Sequence, residues 1–290
     1  MARKGQVGLL TARLAALAAS LPEAGAPAWL DPDLAVDVPF TASVDVLPQL
    51  WAGLAAAIRV GAIDAVLQPV AGRRKALLLA DMDSTMIQQE CIDELADFAG
   101  LKDRVADITE RAMQGEIAFE PALRERVALL RGLPVSTVAR VLAERITPTP
   151  GGAALVRTMR ANGGYCALVS GGFTLFTGPV ATAIGFDEHR SNLLQVADGV
   201  LTGTVVEPIL GREAKLERLM ALRAERRLPG SSVLAVGDGA NDLAMLGEAG
   251  LGVAFHAKPA VAAAAHARID HADLAALLYM QGYARADLVA

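Results

Sequence analysis

From Lys75 onward, short apolar runs alternate with longer stretches of helical spacing. ALLLA ends at Asp81, YCALV at Ser170 and SVLAVG at Asp238. Apolar runs of this length, each closed by a polar residue, predict parallel strands buried on both faces, with helices connecting them. In an open α/β sheet, ligands collect beyond the carboxyl ends of such strands, so the pattern predicts that the three polar residues converge on one site. Between the first and second strands, residues 88–152 read as helical: ECIDELADFAG, DRVADITERAMQG, FEPALRERVALLRG and VSTVARVLAERI. One crossover helix needs far fewer residues, so the surplus predicts a helical cap inserted over the strand ends, where it excludes water. NLLQVADGVLTGTVVE alternates around Asp198-Gly199, the chain's best hairpin signal.

Residues 1–72 follow a different pattern and are expected to form a small α+β module. Its middle is rich in proline (Pro22, Pro27, Pro32, Pro39), LPQLWAGLAAAIRVG has helical spacing, and IDAVLQPV reads as a strand. Arg73, Arg74 and Lys75 mark the boundary with a second domain, 73–290. The opening MARKGQVGLLTARLAALAAS imitates a secretory leader through Arg3 and Lys4, but Arg13 lies inside the would-be apolar region and favours an amphipathic helix or a strand-helix start. Nowhere does the chain reach the roughly 18 uninterrupted apolar residues of a membrane span. A protein outside the membrane, in the cytoplasm, is the expectation.

Composition narrows the partner. The chain has 290 residues, 53% of them hydrophobic, which is enough for a large core and an additional module. Its 27 basic residues are outnumbered by 32 acidic ones and form no stripe, which argues against nucleic acid and for a small molecule. Cys91 and Cys166 lie far apart and read as two reduced thiols rather than a disulfide or metal site. A homodimer is one assembly that the sequence leaves open.

Four segments carry candidate chemistry. In DMDSTMIQQE, Asp81 and Asp83 stand two residues apart at a strand end, and in extended geometry both face one side. Such a pair can divide the work of nucleophile and acid, although Asp and Ser at a strand end also serve as turn or helix caps. Attack by an anion on a phosphate dianion requires added positive charge. A divalent cation held by carboxylates, most often Mg²⁺, supplies it. VGDGANDLAM offers a third acid, Asp238, with Asp242 behind it; read alone, the same segment is a Gly-Asp-Gly turn with Asn241 as a helix cap. SGGF, from Ser170 to Phe173, places a hydroxyl and consecutive glycine amides at a strand-to-helix junction, an arrangement that suits an oxyanion. Lys215 adds a fixed positive charge or is an ordinary surface lysine.

In this order the segments resemble the motifs of the haloacid dehalogenase superfamily: DxDx[ST], a strand-end Ser or Thr, a Lys and an acidic GD motif. The resemblance covers residues 75–275 or so and implies a Rossmann-like parallel core with a helical cap. DMDSTMIQQE, MQGEIAFEPALRERV, VSGGF and GDGAND resemble more closely the phosphoserine phosphatase family within it. That resemblance implies hydrolysis of O-phospho-L-serine, the last step of serine biosynthesis, through an aspartyl-phosphate at Asp81 with Asp83 as acid and base. It further implies that Ser170, Gly171 and Lys215 hold the phosphoryl group, that Asn241 contacts its surroundings, and that Mg²⁺ binds Asp81, Asp238 and the Asp83 carbonyl. In the cap, Glu90, Met113, Phe119 and Arg126 match substrate-reading positions. The chemistry agrees: a zwitterionic substrate end needs one acid for its ammonium and one arginine for its carboxylate, although LRERVALLRG is also an ordinary charged amphipathic helix. Some relatives carry an amino-acid-binding ACT-type domain at the N-terminus, and residues 1–72 are compatible with a reduced version. Two other readings remain at this point, a phosphatase of another small phosphomonoester and a catalytically silent amino-acid-binding regulator.

Overall fold

The computed structural model describes residues 1, 2, 8–113 and 116–289, without the side chains of 56, 57, 59–61, 110, 112 and 113. Arg3 and Lys4 of the leader-like opening, and the side chain of Met113, lie outside the described residues.

The N-terminal module contains α1 (Leu9–Ala19), the strands β1 (Ala28–Asp31) and β2 (Ala35–Asp37), and α2 (Leu47–Gly61). The chain then enters β3 (Leu77–Ala80) and passes through four helices, α3 (Cys91–Phe98), α4 (Lys102–Met113), α5 (Phe119–Leu129) and α6 (Ser136–Glu144). Next come α7 (Gly152–Ala161), β4 (Tyr165–Phe173), α8 (Thr174–Ile184) and β5 (Glu188–Asn192). A hairpin of β6 (Leu194–Ala197) and β7 (Val200–Val205) precedes α9 (Arg212–Glu225). The chain ends with β8 (Val233–Gly237), α10 (Leu243–Glu248), β9 (Leu251–Phe255), α11 (Pro259–Ala264), β10 (Ala267–Ile269) and α12 (Ala276–Met280).

Six strands form one sheet in the order β10-β9-β8-β3-β4-β5. The three apolar runs read from the sequence are β3, β4 and β8, and every residue of β3 and β8 is buried. The chain runs from β3 to β4 and β5 on one side and later to β8 on the other, so the order reverses at β3. The carboxyl end of a strand at such a reversal is where doubly wound sheets bind ligands.

The chain resolves into two compact units. One comprises Met1–Leu78, Pro150–Tyr165 and Leu228–Ala290. Within it β8, β9 and β10 pair in parallel, Val236 opposite Val253 and Val253 opposite Ala267. The N-terminal module is fastened to the C-terminal segment by side chains that satisfy buried backbone groups. The Arg73 guanidinium pairs with Asp37 through two hydrogen bonds of 2.6 and 3.0 Å and donates to the carbonyls of Tyr279 and Met280. The Asp64 carboxylate accepts the N–H groups of Asp270, His271 and Ala272 at 2.8, 3.1 and 2.7 Å. These bonds account for a departure from the sequence reading: IDAVLQPV forms no strand beyond an isolated bridge from Ile63 to Ala2. Asp64 turns its carboxylate onto residues 270–272, and Pro69 has no N–H to offer a ladder.

The other unit comprises Leu79–Thr149 and Cys166–Arg227. β4 and β5 pair in parallel, and the cap helices α3 to α6 belong to this unit. The hairpin turns at Asp198 (φ 50°) and Gly199 (φ 76°), the two positive values that a two-residue type I′ turn requires. It braces the cap through backbone bonds from Gly132 N–H to Leu201 O (2.8 Å), Leu201 N–H to Leu133 O (2.9 Å) and Val135 N–H to Gly199 O (2.9 Å). Among the described residues no helix is long and apolar enough to cross a membrane. Cys91 and Cys166 are both buried, and no disulfide joins them.

Candidate active site

Asp81 directly follows β3 and is 5% exposed. The Met82 N–H donates to its Oδ1 at 2.7 Å, and the Lys215 ammonium lies 2.8 Å from its Oδ2. Lys215, in the first turn of α9, is 2% exposed, which excludes the surface-lysine reading. A charge taken this far out of water needs an opposite charge, and the Asp81 carboxylate provides one.

After Asp81 the chain makes one irregular turn, Met82–Met86, closed by Ile87 N–H on Met82 O at 3.0 Å. Asp83 keeps an extended backbone (φ −64°, ψ 138°), whereas Ser84 adopts a left-handed one (φ 54°, ψ 1°). This break directs Asp83 back toward β4. Its Oδ2 lies 3.0 Å from where a Cβ on Gly172 would be, and Ser170 Oγ lies 3.1 Å from that same point. Any side chain at 172 would therefore crowd the acid and the hydroxyl together. Ser170 Oγ accepts the Gly172 N–H at 2.9 Å, which fixes the hydroxyl at the end of β4. Burial, then the charge of Glu90, pushes the Asp83 carboxyl up to about 7, against the pull of the Cys91 N–H (3.3 Å from Oδ1) and of Lys215. A carboxyl so placed can hold a proton near neutrality. The thiol of Cys91, pushed up by burial and then by Asp83, remains protonated and inert.

The cap contributes three of the expected side chains. Phe119 begins α5 and sets its ring edge 3.4 Å from the Cβ position of Gly171 and 3.6 Å from that of Gly211, so it covers both glycines. Glu90 occupies the N-cap of α3 without capping it; its carboxylate accepts the Ser84 hydroxyl at 2.6 Å. Arg126, half-buried on α5, donates from Nε to Ala122 O and from Nη1 to Thr109 Oγ1, at 3.3 and 3.4 Å. Burial lowers its pKa, and the charges of Asp93 and then Glu90 oppose that shift. Sequence reasoning passed over Ser84, Asp93 and Thr109, and gave Gly172 only as one of two consecutive glycines. Ser84 and Asp93 stand in the quoted motif segments, DMDSTMIQQE and ECIDELADFAG, but their roles depend on turn and helix geometry that a motif does not show.

Asp238 and Asn241 belong to the other unit, in the turn after β8. The Asp242 carboxylate accepts the N–H groups of Asp238 (3.1 Å) and Gly239 (3.0 Å), so Asp242 organises the turn that presents Asp238. Asn241 is half-buried, its amide oxygen folded against Gly239. A Cβ on Gly237 would overlap the Asp242 carboxyl carbon. Gly237→Ala is therefore expected to destabilise the protein by about 1–3 kcal/mol, lowering its thermal midpoint, whereas an alanine at Gly247, where a Cβ meets nothing within 4 Å, should not. Asp81, Asp238 and Asp242 are carboxylates of metal-ligating chemistry, and hard oxygen donors of this kind suit a divalent cation.

A Rossmann-like sheet with an acid pair after β3, a serine hydroxyl and consecutive glycines at the end of β4 and a buried lysine defines a class of hydrolase. Residues 78–247 match the family model for haloacid dehalogenase-like hydrolases, and the chain belongs to that family. Its sequence falls with the phosphoserine phosphatases. It is 44% identical over 221 residues to phosphoserine phosphatase SerB2 of Mycobacterium tuberculosis, covering 76% of this chain and 54% of that protein. The chain spans about half the length of the first curated relatives it matches. A phosphoserine phosphatase solved as a phospho-aspartyl intermediate analogue superposes with a TM-score of 0.66 at 40% identity, over 71% of this chain and 98% of that one. The haloacid dehalogenase family hydrolase t0658 of Salmonella enterica serovar Typhi superposes with a TM-score of 0.85 at 28% identity, over 96% of both chains.

Proposed function

We propose that the protein hydrolyses O-phospho-L-serine to L-serine and phosphate through an aspartyl-phosphate at Asp81, completing serine synthesis. The observation that carries this reading is the buried Asp81–Lys215 pair beside an Asp83 aimed at Ser170 and Gly172. An Asp81 oxygen attacks phosphorus as the bond from phosphorus to the serine oxygen breaks, and the departing oxygen takes a proton from Asp83. Asp83, now a carboxylate, removes a proton from water; the water oxygen attacks the acyl phosphate, freeing phosphate and regenerating Asp81. Lys215, Ser170 Oγ and the amides around Gly171 hold the phosphoryl oxygens and stabilise the charge on them in the transition state. Phe119, packed over Gly171 and Gly211, keeps bulk water out. Asp81, Asp238 and the Asp83 carbonyl are the proposed holders of Mg²⁺, which when bound offsets the repulsion between the carboxylate and the phosphate.

Glu90 and Arg126 are proposed to read the ammonium and carboxylate of the substrate, with Met113 and Asn241 as further contacts. Two buried thiols outside any disulfide suit a reducing cytoplasm. The domain plan accompanying this reading is an N-terminal module over 1–72 and a catalytic domain over 73–290, capped by 88–152. Initial rates with Mg²⁺ over a panel of phosphoserine, phosphothreonine, phosphoethanolamine and p-nitrophenyl phosphate test the substrate. Phosphoserine is expected to lead phosphoethanolamine, which lacks the carboxylate, by about tenfold or more in kcat/KM. Equal rates on both would overturn the substrate assignment and leave a phosphatase of other phosphomonoesters.

A further inference from the structure

β4 and β5 pair in parallel as far as Val169 opposite Arg190, and the pairing resumes at Phe173 opposite Asn192. Ser170, Gly171 and Gly172 therefore face only Ser191, and the surplus bows this segment out of the ladder. A backbone that leaves its ladder needs partners from elsewhere. Asn192, 2% exposed at the end of β5, supplies one: its Nδ2 donates to the Gly171 carbonyl at 2.9 Å. That carbonyl shares a planar peptide group with the Gly172 N–H, which donates to Ser170 Oγ at 2.9 Å. The 171–172 peptide is thus held from both sides, and the Ser170 hydroxyl stands where its N–H puts it.

The same amide reaches a second element. Nδ2 also donates to Leu210 O at 3.2 Å, and Oδ1 accepts the Leu210 N–H at 2.7 Å, as a neighbouring strand would. Leu210 leads through Gly211 into α9, whose first turn carries Lys215. Both Nδ2 hydrogens are spent on carbonyls and the oxygen on an N–H, so the amide fits in one orientation. We infer that Asn192 is a positioning residue for phosphoryl transfer, a buried cross-tie that sets Ser170 and Gly171 after β4 against Lys215 in α9 so that all three meet one phosphoryl group. Buried as it is, the amide acts only through these neighbours. This inference rests on the phosphoryl-holding roles proposed for Ser170, Gly171 and Lys215.

Asn192→Asp keeps the shape and turns a two-hydrogen donor into an acceptor facing the carbonyls of Gly171 and Leu210. The folded full-length variant is expected to lose about 30-fold or more in kcat on phosphoserine and on p-nitrophenyl phosphate alike, with KM changed less than about threefold, because both bring the same phosphoryl group. Orthovanadate, an oxyanion that takes the trigonal-bipyramidal shape of the transferring group, should inhibit the variant about tenfold less strongly or worse. Asn192→Ala, which leaves the three backbone groups unopposed, should move both readouts the same way by about tenfold, and it carries the test if the aspartate prevents folding. A merely structural Asn192 would reduce the amount of folded protein, and so the apparent kcat, while vanadate inhibition of the remaining enzyme stayed at the wild-type level. That outcome, a folded variant within about twofold of wild type, or a loss confined to phosphoserine overturns the inference. Wild-type protein inactive on both substrates overturns the phosphatase reading instead, and needs no variant to show it.

Discussion

Replacing Asp81 by asparagine is expected to reduce turnover by about ten-thousand-fold or more while the protein stays folded. An amide at that position is too weak a nucleophile to form the acyl phosphate, so the loss should appear in kcat and in kcat/KM together, the mark of an interaction made in the transition state. A stability cost comes with it. Lys215 is 2% exposed with its ammonium 2.8 Å from Asp81 Oδ2, and the asparagine can accept a hydrogen bond there without balancing the charge. Breaking a buried pair by neutralising one partner costs up to about 3–5 kcal/mol, so the thermal midpoint should fall, and rates must be compared below it. Acid quenching during turnover supplies the direct test. Wild-type protein should carry one phosphoryl group on the peptide containing Asp81, and the variant none. Substantial residual turnover by a folded Asp81→Asn protein would rule out the aspartyl-phosphate route.

Much of this arrangement is legible in the amino-acid sequence. β3, β4 and β8 are apolar runs closed by polar residues, so buried parallel strands followed from pattern alone. Asp198-Gly199 gave the hairpin because that dipeptide tolerates two positive φ angles. What stayed hidden depends on partners remote in sequence or on one unusual dihedral. The segment after Ile63 reads as a strand by composition, yet its Asp64 binds backbone groups more than 200 residues away, which local periodicity does not encode. Ser84 looked like part of a DxDST motif; that it holds Glu90 follows from a φ of 54°, a value that no residue preference for serine would suggest. Asn192 passed as the start of a hairpin segment, and only its three hydrogen bonds single it out.

Arg126→Ala tests substrate identity, and its expected effect is the second largest. The guanidinium is half-buried between α4 and α5, where burial already disfavours its charge. A substrate carboxylate bound there leaves water for a single cation, so removing that cation leaves the carboxylate unpaired. Losses of this kind run to about 2–5 kcal/mol, or roughly 30-fold to several-thousand-fold in kcat/KM for phosphoserine. Truncation also removes two hydrogen bonds within the cap, so some general damage will accompany the specific loss. An aryl phosphate separates the two effects, since it brings phosphate to Asp81 but no carboxylate to residue 126. Its rate should fall by no more than about fivefold, and the ratio of the two losses then measures recognition alone. Glu90→Gln should give the same asymmetry through the ammonium, though a smaller one, because the amide still accepts a hydrogen bond from Ser84 or the substrate. Equal losses on both substrates in both variants would mean that Glu90 and Arg126 support the fold of the cap without reading the substrate, and the phosphoserine assignment would fall with it.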